Sequence, residues 1–489
     1  MIALSRSALA GLPPGVHGPA YDVTKVTPGI VHLGLGGFHR AHMARYTHNL
    51  MDRDADALRW GITGAGLMPN DRKMRDVLKA QDGLYTLVER DGADETVTVI
   101  GALTDVLFAG ETSTRVLAAI DRARIVSTTV TENGYCLNRA TKRLDTSHPL
   151  IAADLAHPGD PRSVIGIITE AYRRRMVTGA APFTALCCDN IQHNGDVLRD
   201  AVLDFASLRD PALADWISTH ARFPNSMVDR ITPVTREEDI AALSARHGIA
   251  DGWPVFCETF TQWVIEDDFA DGRPAWEQAG AQFVTDVTPY EFMKLRLLNT
   301  SHLAMAALGR LIGYRYIHET MQDETLRRTM IALMDHETGP TLMPVPGIDI
   351  AAYKARLVER FANPAIMDTV ERVNTDAPLN YLVDPIRDRL KVGDSAELLA
   401  LALAAWLRRV RGTDEQGEPI DVRHPMAQIL RDRAIAGGPD PRPLLEIHEL
   451  FGEMGRNEGF IASVGKWLTS LYDIGAAKTV ALARETLKF

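Results

Sequence analysis

The chain has 489 residues, 46% hydrophobic and 24% charged, values that suit folded globular domains and exclude a disordered, collagen-like or coiled-coil chain. Asp and Glu number 64 against 53 Lys and Arg, a net charge of −11, and such a surface repels nucleic-acid phosphates and anionic lipid heads. Four cysteines, two of them adjacent at Cys187 and Cys188, cannot build a disulfide scaffold and fit a reducing compartment. The opening MIALSRSALAGLPPG lacks a basic stretch followed by a long apolar one, so no signal peptide is expected. The longest unbroken apolar run, Leu398 to Leu407, falls well short of the roughly 20 residues of a spanning helix. The expectation is a soluble cytoplasmic protein without nucleic-acid or membrane partners.

In chain order, strand-like runs are expected at Ile30–Leu33, Trp60–Thr63, Ile125–Val130 and Phe183–Cys188. Helical stretches such as Ala41–Met51 and Ser113–Arg122 separate them, which argues for a mostly parallel sheet covered by helices on both faces. Tyr85–Glu89 and Glu95–Ile100 flank Asp91-Gly92, the pattern of a hairpin and so of an antiparallel piece in that sheet. From about Pro289 the pattern turns helical, with stretches at Tyr290–Leu311, Asp323–Met334, Ile350–Phe361, Ser395–Arg411 and Pro443–Leu450. The reading is an α/β fold, a Rossmann-type N-terminal domain over residues 1–285 followed by a mainly α-helical C-terminal domain over 286–489.

The first strand runs into Gly34-Leu35-Gly36-Gly37-Phe38-His39-Arg40-Ala41-His42 and then a helix. Gly34, Gly36 and Gly37 permit a tight turn and close approach of a pyrophosphate, and Arg40 offers a forked charged contact. His39 stands where a third glycine is usual, so the motif alone equally describes a tight strand-to-helix turn. Asp71, after the second strand and a turn at Gly64-Ala65-Gly66, is the candidate for the adenosine ribose hydroxyls, and its charge would favour NAD over NADP. It lies farther along than the usual spacing of about 20 residues, and its plain alternative is a cap on a helix over Arg72–Lys79.

The most unusual segment runs from Pro289 to Leu308, apolar nearly all round yet carrying Lys294, Asn299 and His302. At about 100° per residue these stand near 0°, 140° and 80°, on one side of an α-helix. Burial disfavours an ammonium, and a lysine so discharged is a competent general base. An Asn amide can donate to an oxygen gathering negative charge, and a histidine can orient substrate or relay a proton. The plain alternative pairs Lys294 with Glu291 and Asn299 with His302 in a core.

Taken with Asp189-Asn190-Ile191-Gln192-His193-Asn194-Gly195 and Phe223-Pro224-Asn225-Ser226-Met227-Val228-Asp229-Arg230-Ile231-Thr232-Pro233, these segments resemble the polyol-specific long-chain dehydrogenases, the mannitol dehydrogenase and fructuronate reductase family, over essentially the whole chain. The resemblance implies reversible, metal-independent oxidation of a sugar alcohol to a ketose with NAD, by a monomer. It implies Lys294 as general base, Asn190 and Asn299 as holders of the reacting oxygen, His302 as an orienting group, Asp229 and Arg372 as polyol contacts, and Glu291 as gate of a proton path. Phe38 belongs with the cofactor loop. Plain alternatives are a loop cap for Asn190, an ion pair of Asp229 with Arg230, and a solvated helix face for Arg372. The family's lysine-bearing Ser/Gly-rich loop after Arg372 is replaced by the shorter Val373–Asn380, and Asn70 replaces one of two carboxylates beside Asp71. Rival readings are a hexuronate reductase of the same family, a metal enzyme using His39 and His42, and a non-catalytic NAD-binding sensor.

Overall fold

The computed structural model describes residues 1–138 and 141–489. The chain divides into two compact units, Met1–Thr288 and Pro289–Phe489. In the first, β1 (Pro28–Leu33), β2 (Gly61–Gly66), β3 (Leu103–Phe108), β4 (Ile125–Thr128) and β5 (Thr184–Cys187) form one sheet in the order β3-β2-β1-β4-β5. Every pairing in it is parallel. This is the order of a dinucleotide-binding fold, whose ligands lie beyond the carboxyl ends of the strands.

Alternate residues of each strand feed two cores. Val31, Leu33, Val126, Ala185 and Cys187 belong to one, and Ile30, Ile62, Ile125 and Leu186 to the other. Side chains alternate along a strand, so a strand covered on both faces is written as an unbroken apolar run. The hairpin forms as expected, Tyr85–Asp91 pairing antiparallel with Asp94–Ile100. It is not part of the main sheet, however. It sits in a separate four-stranded sheet with Val16–His17 and Val255–Glu258.

Three local expectations are corrected. Gly64-Ala65-Gly66 is strand, not turn. A Cβ on Gly64 would meet the Leu35 side chain at 2.6 Å, so glycine here lets Leu35 pack over β2. The helix expected from Ala41 begins at Gly37 and breaks at His42, giving Gly37–Ala41 and Met43–Met51. Pro443–Leu450 is two short helices, Arg442–Leu445 and His448–Phe451.

The second unit is helical. At its centre, Thr288–Met293 continues through a π-helical turn, Lys294–Asn299, into Thr300–Ile312. Leu297, Leu303, Met305, Leu308 and Leu311 are fully buried. Helices Ile317–Gln322, Val370–Asp376, Asn380–Val392 and Glu397–Arg409 pack around it. A Cβ on Gly309 would stand 2.6 Å from Thr320 Cγ2, so glycine sets that close approach. Among the described residues, no helix is long and apolar enough to cross a membrane.

Candidate active site

The glycine loop leaves the carboxyl end of β1. Gly34 has φ +91°, and a Cβ on it would lie 2.2 Å from the Thr129 carbonyl oxygen, so only glycine fits. At Gly36 and Gly37 the nearest atoms to an added Cβ are 3.8 and 3.9 Å away, which leaves the backbone open to an approaching group. These glycines, Leu35, Asn70, Asp71 and Trp253 line a cleft of about 750 Å³. A pyrophosphate and a ribose fit that lining: bare backbone at one end, a carboxylate at the other.

Two cofactor candidates are more constrained than expected. Arg40 is buried, donating to the Gly36 oxygen at 3.3 Å and the Trp253 oxygen at 2.5 Å, and burial lowers its pKa to about 10. It ties the loop to the cleft's far wall. Asp71 Oδ2 accepts from the Leu67 and Met68 amides at 2.9 and 2.8 Å. It shapes the turn before its own helix, Asp71–Ala80, rather than capping it, and Oδ1 is the oxygen left for a ribose. Phe38 stacks on His42 with ring centroids 5.0 Å apart.

Asn190 follows β5 at the sheet's carboxyl edge, and Asp229 ends β6 (Ser226–Asp229), where it is 3% exposed. Asn194, fully buried, joins the two segments. Its Nδ2 donates to the Asp189 oxygen at 2.9 Å and the Ser226 oxygen at 2.8 Å, and its Oδ1 accepts from the Ser226 amide at 2.9 Å. The Asp189 carboxylate accepts from the Val130 and Thr131 amides at 2.8 and 2.6 Å and from the Tyr135 hydroxyl at 2.5 Å. Burial raises its pKa against those bonds. Arg230 gives its donors to Glu89 and to the Ala41 and Glu258 carbonyls.

In the second unit Lys294, Asn299 and Glu291 are 8%, 6% and 4% exposed. The π turn closes with the Thr300 amide bonded to the Leu295 oxygen, five residues back. A π turn is wider than an α turn, so residues five apart stand closer to one line than the 140° of an ideal wheel. Lys294 and Asn299, at the two ends of the turn, are brought toward the same face. Asn299 Nδ2 is buried and has no hydrogen-bond acceptor among the described residues. Asn299 and His302 therefore do not satisfy each other, as the core alternative required.

His302 turns to Asp368, Nε2 standing 3.4 Å from Oδ2, close but short of a formed hydrogen bond. Arg372 grips the same carboxylate with Nε and Nη2, each at 2.6 Å, while Nη1 lies 3.5 Å from Asp376. Burial pushes the Asp368 carboxyl up, but the bidentate Arg372 and the nearby His302 ring outweigh it and hold the pKa well below the usual range. Sequence reasoning missed Asp368 and Asn194. Asn194 was visible only as part of the Asp189–Gly195 motif, and Asp368 lies in no motif.

Of the two histidines of the metal alternative, His42 is engaged through a ring nitrogen and His39 only through ring stacking. His39 stacks on His32 at 3.4 Å between centroids, and His42 Nε2 lies 3.0 Å from the Gln262 oxygen. Among the described residues, no group of three or more His, Cys, Asp or Glu could hold a metal ion.

A Rossmann-ordered sheet with an open glycine loop, followed by a helical unit built on a lysine-bearing buried helix, defines a two-domain nucleotide-dependent dehydrogenase architecture. Residues 28–278 match the profile of the mannitol dehydrogenase Rossmann domain, and residues 286–472 that of the mannitol dehydrogenase C-terminal domain. The chain belongs to the mannitol dehydrogenase family. It is 42% identical over 472 residues to mannitol 2-dehydrogenase of Phaeosphaeria nodorum, covering 95% of this chain and 82% of that one. The solved ternary complex of Pseudomonas fluorescens mannitol 2-dehydrogenase with NAD and D-mannitol is 43% identical, covers 100% of both chains and superposes with a TM-score of 0.92. A D-sorbitol dehydrogenase crystallised without substrate is 34% identical, covering 98% of this chain and 100% of that one, with a TM-score of 0.87.

Proposed function

We propose that this protein is an NAD-dependent polyol dehydrogenase that oxidises mannitol to fructose, reversibly and without a metal. The observation that carries the reading is the π turn: a buried lysine at one end and, at the other, an Asn amide donor with no acceptor among the described residues. A buried donor left unpaired calls for an explanation, and a substrate oxygen supplies one. Membership of the family and the likeness to the NAD and D-mannitol complex support the choice of substrate and cofactor.

Bound NAD supplies the hydride acceptor. Lys294, buried at the start of the π turn, takes the proton of the carbinol hydroxyl as general base. Asn299 and Asn190 donate to the same oxygen as it becomes alkoxide-like. His302, Asp229 and Arg372 orient the polyol, and Glu291 gates proton exit from Lys294. Gly34, Gly36, Gly37 and Phe38 shape the cofactor loop, Arg40 braces it, and Asp71 takes the adenosine ribose. The working unit is a cytoplasmic monomer.

Initial rates on mannitol, sorbitol, arabinitol and fructuronate, with NAD and with NADP, test the reading. Mannitol with NAD is expected to be fastest, with rates unchanged by a chelator. Preference for fructuronate, or a rate abolished by chelation, would overturn it. Static light scattering checks the monomer.

A further inference from the structure

We propose that Asp368 is a positioning residue for this reaction, holding His302 and Arg372 as one unit. The proposal rests on the reading above that His302 orients the polyol. Asp368 lies between helices Ile350–Ala362 and Val370–Asp376, 3% exposed. Its backbone is fixed at both ends: its oxygen accepts from the Ile317 amide at 2.9 Å, and its amide donates to the Ile366 oxygen at 2.8 Å. A carboxylate so buried needs paired partners. It has two, and both are residues of the proposed site.

Arg372 supplies the bidentate grip, and Thr369 Oγ1 accepts from the Arg372 amide at 3.1 Å, which seats that residue on the first turn of its helix. With Nε and Nη2 on Asp368 and Nη1 reaching Asp376 at 3.5 Å, the second Nη1 hydrogen remains for a polyol hydroxyl. His302 has the Asp368 contact and the Phe361 ring, 5.2 Å between centroids, to fix its plane. A carboxylate beside Nε2 keeps the ring proton on that nitrogen and leaves Nδ1 as an acceptor for a substrate hydroxyl. At 3.4 Å the contact is longer than a formed hydrogen bond. Neither His302 nor Arg372 bonds to the other, so their coupling runs through Asp368.

The test is a double-mutant cycle on mannitol oxidation. Asp368→Asn keeps the shape and removes the charge. It is expected to lower kcat/KM for mannitol by about tenfold to a hundredfold, with KM for NAD changed by less than about twofold. In a His302→Asn background the same substitution should cost less than about threefold. A merely structural role would give the same loss in both backgrounds or move KM for NAD equally, and either result overturns the proposal. If Asp368→Asn does not fold, the cycle is run between His302→Asn and Arg372→Gln: coupled losses support the shared carboxylate, and independent losses overturn it. A silent Asp368→Asn with a damaging His302→Asn overturns this proposal alone. A parent that oxidises no polyol, or a silent His302→Asn, overturns the functional reading and this proposal with it.

Discussion

Asn194→Ala separates the Asn190 loop from the strand that ends in Asp229. The wild-type amide makes three buried bonds, to the Asp189 oxygen, the Ser226 oxygen and the Ser226 amide. Removing it leaves the Ser226 N–H without its partner inside the core, at about 1–3 kcal/mol, and the two lost carbonyl bonds add about 1 kcal/mol each. The Asp189 oxygen still accepts from the Ile191 amide at 2.9 Å, which limits the loss there. The expected destabilisation of the N-terminal unit is about 3–5 kcal/mol. Urea unfolding followed by a tryptophan of that unit reads it, and faster hydrogen exchange of the Ser226 amide localises it. Mannitol kcat/KM should fall by roughly a hundredfold, because a misplacement of about 1 Å costs that much in an oriented reaction. Asn194→Asp should be worse, since its second oxygen would face two carbonyls. An Asn194→Ala protein within about 1 kcal/mol of the parent, with unchanged Ser226 exchange, would refute the reasoning.

Other consequences are separately measurable. Lys294→Met should lower kcat by at least about a hundredfold while NADH binding, read by fluorescence titration, is unchanged; activity within tenfold of the parent would remove the lysine from the chemistry. Gly34→Ala forces a Cβ against the Thr129 carbonyl at φ +91°, so loss of NADH binding is expected, and retained affinity would contradict the role given to the loop. Burial raises the Glu337 pKa from 4.5 to about 7, although its carboxylate accepts from the Leu398 and Leu399 amides. The folded state thus holds a proton that the unfolded state releases near pH 4.5. The stabilisation is complete below that pH and is lost as pH rises through about 7, a change of order 3 kcal/mol. Melting temperatures from pH 4.5 to 8 should show that decline in the parent and not in Glu337→Gln, and parallel curves would sink it.

The parts of this protein that were legible in sequence are those written by burial. Strands covered on both faces show as apolar runs, so β1, β2, β4 and β5 were located to within a few residues. The helix from Thr288 to Ile312 was legible because nothing else explains so long an apolar stretch. What was not legible depends on geometry that leaves no residue pattern. A helical wheel at a fixed angle set Lys294 and Asn299 on one side of the helix but about 140° apart, and nothing in Leu295–Leu298 announces the i→i+5 turn that draws them closer. The turn has an identifiable brace: the Thr300 hydroxyl lies 3.0 Å from the Leu295 oxygen and 2.6 Å from the Tyr381 oxygen. The second of these comes from a distant helix. Asp368 was invisible for the same reason, since its meaning lies in partners that folding brings to it.

The glycine loop shows how a departure from a motif can be read once the structure is known. The third glycine of the usual pattern permits close packing of helix on strand. Here that position is His39, in a helix of only five residues, and close packing is replaced by a ring lying flat on His32. His32 is itself held from β4 and the residue just beyond it, with Nδ1 2.8 Å from the Ser127 hydroxyl and Nε2 2.8 Å from the Thr129 hydroxyl. Complete burial lowers its pKa to about 3, so the stack is neutral at physiological pH and free of charge repulsion. Thr129 also donates to the Gly34 oxygen at 2.8 Å. The glycine turn proposed to approach the cofactor is thereby fixed from β4 through two hydroxyls and two stacked imidazoles. A glycine at position 39 would remove that brace without restoring the usual packing, because the helix it would serve ends two residues later.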